Sequence, residues 1–166
     1  MRIISLDPGY DRLGIAVIEK DARGKEVLLF STCHTTEKTE PFENRLFSVV
    51  RAFREMLEIY KPDECALEKL FFQNNQKTAM FVSRVIGALT YVSLEKNVPV
   101  FEYTPLQIKT AVTGNGRSTK LEMMKMIPLI IPCPKIATGE KMLDDEFDAI
   151  AVGVTHLAMR RSFSGR

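Results

Sequence analysis

The sequence predicts an α/β fold: a five-stranded mixed sheet of order 3-2-1-4-5 with helices on its faces. Three observations predict it. Three β-rich runs at hairpin spacing occupy the first 33 residues. The apolar period then lengthens from two to between three and four, and every later strand-like run is reached through a helical one. Runs one to three therefore form an antiparallel meander, and runs four and five return parallel to run one by right-handed crossovers.

Arg2–Leu6 is the first run, stopped by the Asp7-Pro8-Gly9 turn signal. Gly14–Glu19 follows, closed by Asp21-Ala22-Arg23-Gly24, and Glu26–Cys33 completes the meander. Phe42, Leu46, Val49, Val50, Phe53, Met56, Leu57 and Tyr60 recur at helical spacing, and Lys61-Pro62-Asp63 ends that helix. Glu64–Glu68 is a short buried strand. A second helix spans Thr78–Glu95, with Met80, Phe81, Val85, Ile86, Leu89 and Val92 on its apolar side, and the stretch from Asn97 to Tyr103 gives the fifth strand. A short helix from Pro105 to about Val112, a turn at Gly114-Asn115-Gly116, a helix from Ser118 or Thr119 to about Ile131, a loop to Met142 and a last helix over about Asp145–Met159 complete the chain, with Asp144 as N-cap. This order is that of the ribonuclease-H-like architecture. Residues 1–159 are expected to form one such domain, and 160–166 a short basic tail.

With 166 residues, 45% apolar and 27% charged, the chain has the composition of a globular protein that folds without disulfides or structural zinc. No apolar stretch is long enough to cross a membrane as a helix, and the first segment lacks the pattern of a signal peptide. Cys33, Cys65 and Cys133 are odd in number and far apart, which points to free thiols and a cytoplasmic location. A net charge of +2 decides nothing about partners, so local charge has to.

Two acids end neighbouring parallel strands: Asp7 after Ile-Ile-Ser-Leu, and Glu68 after Cys-Ala-Leu. Both project at the carboxyl edge, where open α/β sheets build their sites. Each also has a structural explanation, as a brace of the Pro8-Gly9 turn or a partner of Lys61 or Lys69. On the last helix Asp145 and Asp148 share a face one turn apart, although acids at a helix N-terminus also simply favour the macrodipole. Asp144 and Asp148 share a face too, and spacing alone does not choose between Asp144 and Asp145. Several acids held together repel, and one would stay protonated unless divalent cations joined them. Oxygen-only ligands suit Mg²⁺, or Mn²⁺ in its place, whereas His34 and His156 are too few to suggest zinc. Two such ions roughly 4 Å apart can activate a water and stabilise a departing 3′-oxygen.

Phosphate would be drawn there by Lys109, Arg117, Lys120 and Lys125, set against Glu122 alone between Gln107 and Lys125. Gly114 and Gly116 let that backbone approach a phosphate closely. Phe71 and Phe72 stand in the polar stretch Leu-Phe-Phe-Gln-Asn-Asn-Gln directly after Glu68. They are either core residues or a wedge that stacks on bases beside the cut.

Four motifs in order, LDPGYDRLGIAVI, PDECALEKLFFQN with its following TAM, VPVFEYTPLQIKTAVTGNGRSTK and DDEFDAIAVGVTH, resemble the RuvC family of Holliday-junction resolvases over nearly the whole chain. The resemblance implies a homodimeric, Mg²⁺-dependent endonuclease with two ions per site. Such enzymes nick two like-polarity strands of four-way junction DNA symmetrically, and a branch-migration helicase is an expected partner. Carried over motif by motif, the catalytic and metal-binding acids are Asp7, Glu68, Asp145 and Asp148. The family's basic residues fall on Lys109 and Lys120, and its junction-probing aromatic on Phe71. Between the paired aspartates this chain has Glu146 and Phe147, where family members usually have small residues; Glu146 lies off the Asp145–Asp148 face. The apolar side of Thr78–Glu95, with Met80, Val85, Ile86 and Leu89, is the candidate dimer contact.

Other readings keep part of this pattern. A related ribonuclease-H-like nuclease acting on other branched DNA or RNA would retain the acids and drop the dimer. Asp7-x-Gly9 followed by Gly14 also looks like the phosphate-binding turn of actin-like ATPases, but that leaves Asp145 and Asp148 unexplained. A catalytically idle DNA-binding module would have no use for the acids.

Overall fold

The computed structural model describes residues 1–70 and 76–163. Its elements are β1 (Arg2–Asp7), β2 (Arg12–Lys20), β3 (Glu26–Thr35), α1 (Phe42–Tyr60), β4 (Glu64–Glu68), α2 (Gln76–Glu95), β5 (Val100–Tyr103), α3 (Pro105–Thr113), α4 (Lys120–Ile130), α5 (Pro134–Ala137) and α6 (Asp144–Phe163). The sheet order is β3-β2-β1-β4-β5. β1–β2 and β2–β3 pair antiparallel, while β1–β4 and β4–β5 pair parallel. Predicted and observed sheets agree in order and direction.

Both faces of the sheet are covered, which is why its central strands read as apolar runs. Ile4, Leu6, Ile15, Val17 and Leu67 face α1 and α2, where they meet Val49, Phe53, Leu57, Val85 and Leu89. Ile3, Ala16, Ile18 and Ala66 face α6, α3 and α4, meeting Ile108, Met123, Ile127, Ile150 and Val154. Val85 and Leu89 are thus core residues and do not form an outer contact face. The exposed side of α2 carries Met80, Tyr91 and Leu94 instead.

α6 lies close against β1 and β2 because small residues separate them. A Cβ at Gly14 would overlap the carbonyl of Asp145, and one at Gly153 would come within 2.7 Å of Ser5 Oγ. Gly14 therefore serves close helix–strand packing rather than a phosphate-binding turn. Asp144 is the first residue of α6, so it belongs to the first turn rather than capping it. The helix continues to Phe163, and Arg160 within it bonds Glu64 on β4, so the expected basic tail begins as helix. Thr119 caps α4 with its hydroxyl accepting from the Glu122 amide, and the Glu122 carboxylate accepts from the Thr119 amide in return. Among the described residues no helix is long and apolar enough to cross a membrane.

Candidate active site

The register of the parallel pair builds the site. Leu6 pairs with Leu67, so β1 and β4 leave the sheet side by side at Asp7 and Glu68. On the other flank of β1, Asp7 pairs with Gly14. The missing side chain at Gly14 lets the first turn of α6 settle there, bringing Asp145 and Asp148 to the same edge.

The acids feel one another strongly. Burial, then the charges of Asp148, Glu68 and Asp145, push the Asp7 carboxyl up to about 8, with Lys120 opposing. Burial and Asp148 push Glu68 up to about 6 against Lys120 and Lys109. Burial also raises Asp148, against the pull of Lys120. At neutral pH Asp7 therefore keeps its proton, the outcome expected of crowded carboxylates. Among the described residues no three acids, histidines or cysteines are arranged to hold an ion directly. Cationic side chains engage two of the four acids instead. Lys120 Nζ bonds Asp148 Oδ2 at 2.7 Å and lies 3.6 Å from Asp144. Arg12 Nη1 donates to Asp145 Oδ2 at 3.2 Å. The donor set fits a hard dication all the same, because it consists of carboxylate oxygens in a partly dehydrated setting.

Two grooves flank the acids. One, of about 360 Å³, includes Asp7, Glu68, Lys69 and Lys109, and continues past Lys120 and Asp148. The other, of about 560 Å³, runs from Asp7 and Asp145 along the Pro8–Arg12 turn to Thr35, Thr36 and Lys38. Lys109 and Lys120 thus line the acid site. Arg117 is exposed on the loop before α4 and borders neither groove. Gly114 has a local function as the left-handed cap of α3, with φ 76°. Phe71 and Phe72 lie outside the described residues.

Three features were not read from the sequence. Arg12 pairs with Asp145, and its position just past the Asp-Pro-Gly turn was the available signal. Arg45, on α1 and 8% exposed, fastens the turn: it bonds Asp11 and donates from Nε to Thr36 Oγ1 at 2.9 Å, while Thr36 donates to the Tyr10 carbonyl at 2.7 Å. Glu146 turns away from the acids. It is 4% exposed and accepts from Ser31 Oγ at 3.0 Å and Lys135 Nζ at 2.8 Å, fixing the first turn of α6 to β3.

Carboxylates at the edge of a mixed 3-2-1-4-5 sheet, with a closing helix that brings two more, define the class: a ribonuclease-H-like nuclease. The family model described as "Crossover junction endodeoxyribonuclease RuvC" matches residues 3–156, and the chain belongs to that family. It is 37% identical to the protein of that name from Petrotoga mobilis, over 98% of this chain and 97% of the relative. A solved structure of Thermus thermophilus RuvC superposes with a TM-score of 0.83 at 28% identity, covering 98% of this chain and 97% of the other. A second, T. thermophilus RuvC in complex with Holliday junction substrate, superposes with a TM-score of 0.87 at 29% identity, covering 99% and 97%.

Proposed function

We infer that this chain is a crossover junction endodeoxyribonuclease that resolves four-way DNA junctions by paired nicks. The observation that carries the reading is the electrostatic coupling of Asp7 to Glu68, Asp145 and Asp148 at one sheet edge, with Lys109 and Lys120 beside them. Asp7, Glu68, Asp145 and Asp148 are assigned as ligands of two Mg²⁺ ions, with Mn²⁺ able to substitute. Bound there, the cations supply Lewis-acid activation of a water and stabilisation of the departing 3′-oxygen.

The chain's own residues do the rest. The four acids set where positive charge stands, and deprotonation of Asp7 and Glu68 accompanies loading. Lys109 and Lys120 take phosphate oxygens and fix the strand's register without reading its sequence. Arg117 adds a contact further along the loop. Phe71 and Phe72, three and four residues after Glu68, are assigned to separating bases beside the cut. Two coordinated nicks need two sites, so a two-fold homodimer is proposed, with the exposed side of α2 at Met80, Tyr91 and Leu94 as its contact. A branch-migration helicase is the proposed partner in the cell.

The test is cleavage of a synthetic mobile four-way junction in Mg²⁺ and in EDTA, with both strands mapped. Symmetric nicks in Mg²⁺ alone support the reading. Equal cutting of forks or duplex would favour a nuclease for other branched substrates.

A further inference from the structure

The larger groove has no assigned role, although it begins at the acids and carries two cationic side chains. Arg12 opens β2, and its half-exposed side chain makes its one ion pair among the described residues with Asp145. Arg12 pairs with Thr35 across the sheet, and Lys38 lies three residues beyond Thr35 on the same groove. Lys38 is exposed and has no ion pair among the described residues. The wall between them is rigid, because buried Arg45 ties Asp11, Thr36 and the Tyr10 backbone together. Arg45 also neutralises Asp11, leaving Asp7 and Asp145 as the groove's remaining acids.

We propose that Arg12 is an exchangeable counter-ion of Asp145. A divalent cation on that carboxylate releases it, and Arg12 then acts with Lys38 as a phosphate contact for a DNA strand lying in this groove. The inference rests on the reading of the four acids as a cation site. An exposed ion pair is a weak competitor, so a dication displaces it readily. A guanidinium freed from a carboxylate presents the same planar fork to phosphate oxygens. With the acids neutralised by cations, the groove changes from mixed charge to positive. Cation binding and backbone binding in the groove therefore favour each other, a reciprocal coupling.

The test compares full-length wild type with Arg12→Gln, Arg12→Lys and Lys38→Ala. Titrated with Mn²⁺ alone and followed by electron paramagnetic resonance, Arg12→Gln should bind the ion about two- to five-fold more tightly, the range an exposed ion pair accounts for. Arg12→Lys should fall between it and wild type, and Lys38→Ala should match wild type. Junction affinity is then measured against salt, in Ca²⁺ and in EDTA. In Ca²⁺ Arg12→Gln and Lys38→Ala should each flatten the logarithmic salt slope by about 0.9 per protomer, whereas in EDTA Arg12→Gln should leave it unchanged. Mn²⁺ affinity equal to or weaker than wild type in Arg12→Gln overturns the proposal, as does equal flattening in Ca²⁺ and EDTA. If wild type itself shows no saturable Mn²⁺ binding, the reading of the acids fails, and the counter-ion role with it.

Discussion

β4 carries a glutamate at each end, and the two have opposite fates. Glu64 accepts from His156 Nε2 at 2.6 Å and from Arg160 Nε at 3.1 Å, and a second Arg160 nitrogen reaches its other oxygen. Burial would raise its carboxyl, yet the Arg160 and His156 bonds outweigh burial and leave it lowered. Glu68, four residues on, is pushed up to about 6 by burial and Asp148. Since an ionised carboxylate only accepts, His156 donates from Nε2, and its Nδ1 accepts from the Tyr103 hydroxyl at 2.8 Å. One end of the strand is a closed network that fastens α6 to the sheet; the other is crowded with like charge. At the Glu64 end both carboxylate oxygens are taken by donors of α6. At the Glu68 end Lys120 is instead divided between Asp148 and Asp144, and Arg12 pairs with Asp145.

The sharpest break of this comparison is substitution at the crowded end. Asp7→Asn, Glu68→Gln or Asp148→Asn should each lower the single-turnover cleavage rate about a thousandfold or more, on the order of 4 kcal/mol, while junction affinity in EDTA persists. A variant that cuts at near wild-type speed in Mg²⁺ would remove that residue from the ligand set. Glu64→Ala should behave oppositely. It removes the carboxylate that His156 Nε2 and two Arg160 nitrogens share, and should lower unfolding stability by about 3 kcal/mol in denaturant melts. The cleavage rate of the folded fraction should be unchanged.

The two ends also predict opposite responses to pH. The folded-state pKa of Asp7 is raised from 3.8 to about 8, so the native state holds a proton that the unfolded chain has released across that window. Its contribution is fully present below pH 3.8 and is lost as pH rises toward 8. Asp7→Asn removes this dependence, and in EDTA it should melt above wild type at pH 8 by more than it does at pH 5. Glu64 has a lowered pKa, so its contribution is present above its ordinary value of 4.5 and fades as pH falls below it. A wild-type melting profile in EDTA that rises steadily from pH 5 to 8 would contradict the Asp7 assignment.

The sheet and the acids were legible in the sequence for one shared reason. Strand periodicity fixes where β1 and β4 end, and Asp7 and Glu68 are the residues at those ends. Asp145 and Asp148 were legible as a face, but that face could meet the sheet edge only because Gly14 lacks a side chain, a contact between residues 131 positions apart. The candidate contact on α2 combined residues of two faces: Val85 and Leu89 turn into the core, while Met80, roughly half a turn round the helix from Leu89, stays exposed. Glu146 stood in the sequence as a departure from a pattern of small residues. Its partners, Ser31 and Lys135, come from β3 and α5, so only the tertiary structure shows it to be a fastening like Glu64.

The smallest predicted effect separates two cations that the sequence grouped together. Lys120 bonds Asp148, so it acts on the acid cluster as well as on any phosphate, whereas Arg117 stands exposed on its loop with no ion pair among the described residues. Lys120→Ala should therefore lower both junction affinity and the single-turnover rate. Arg117→Ala should lower affinity by about threefold at low salt, and the defect should shrink as salt rises, because the variant neutralises one fewer phosphate and so releases one fewer counterion on binding. Its loss in rate on saturated junction should be smaller than its loss in binding. Equal losses for the two variants in both measurements would mean that Lys120 reaches DNA only as Arg117 does, and that its bond to Asp148 has no bearing on catalysis.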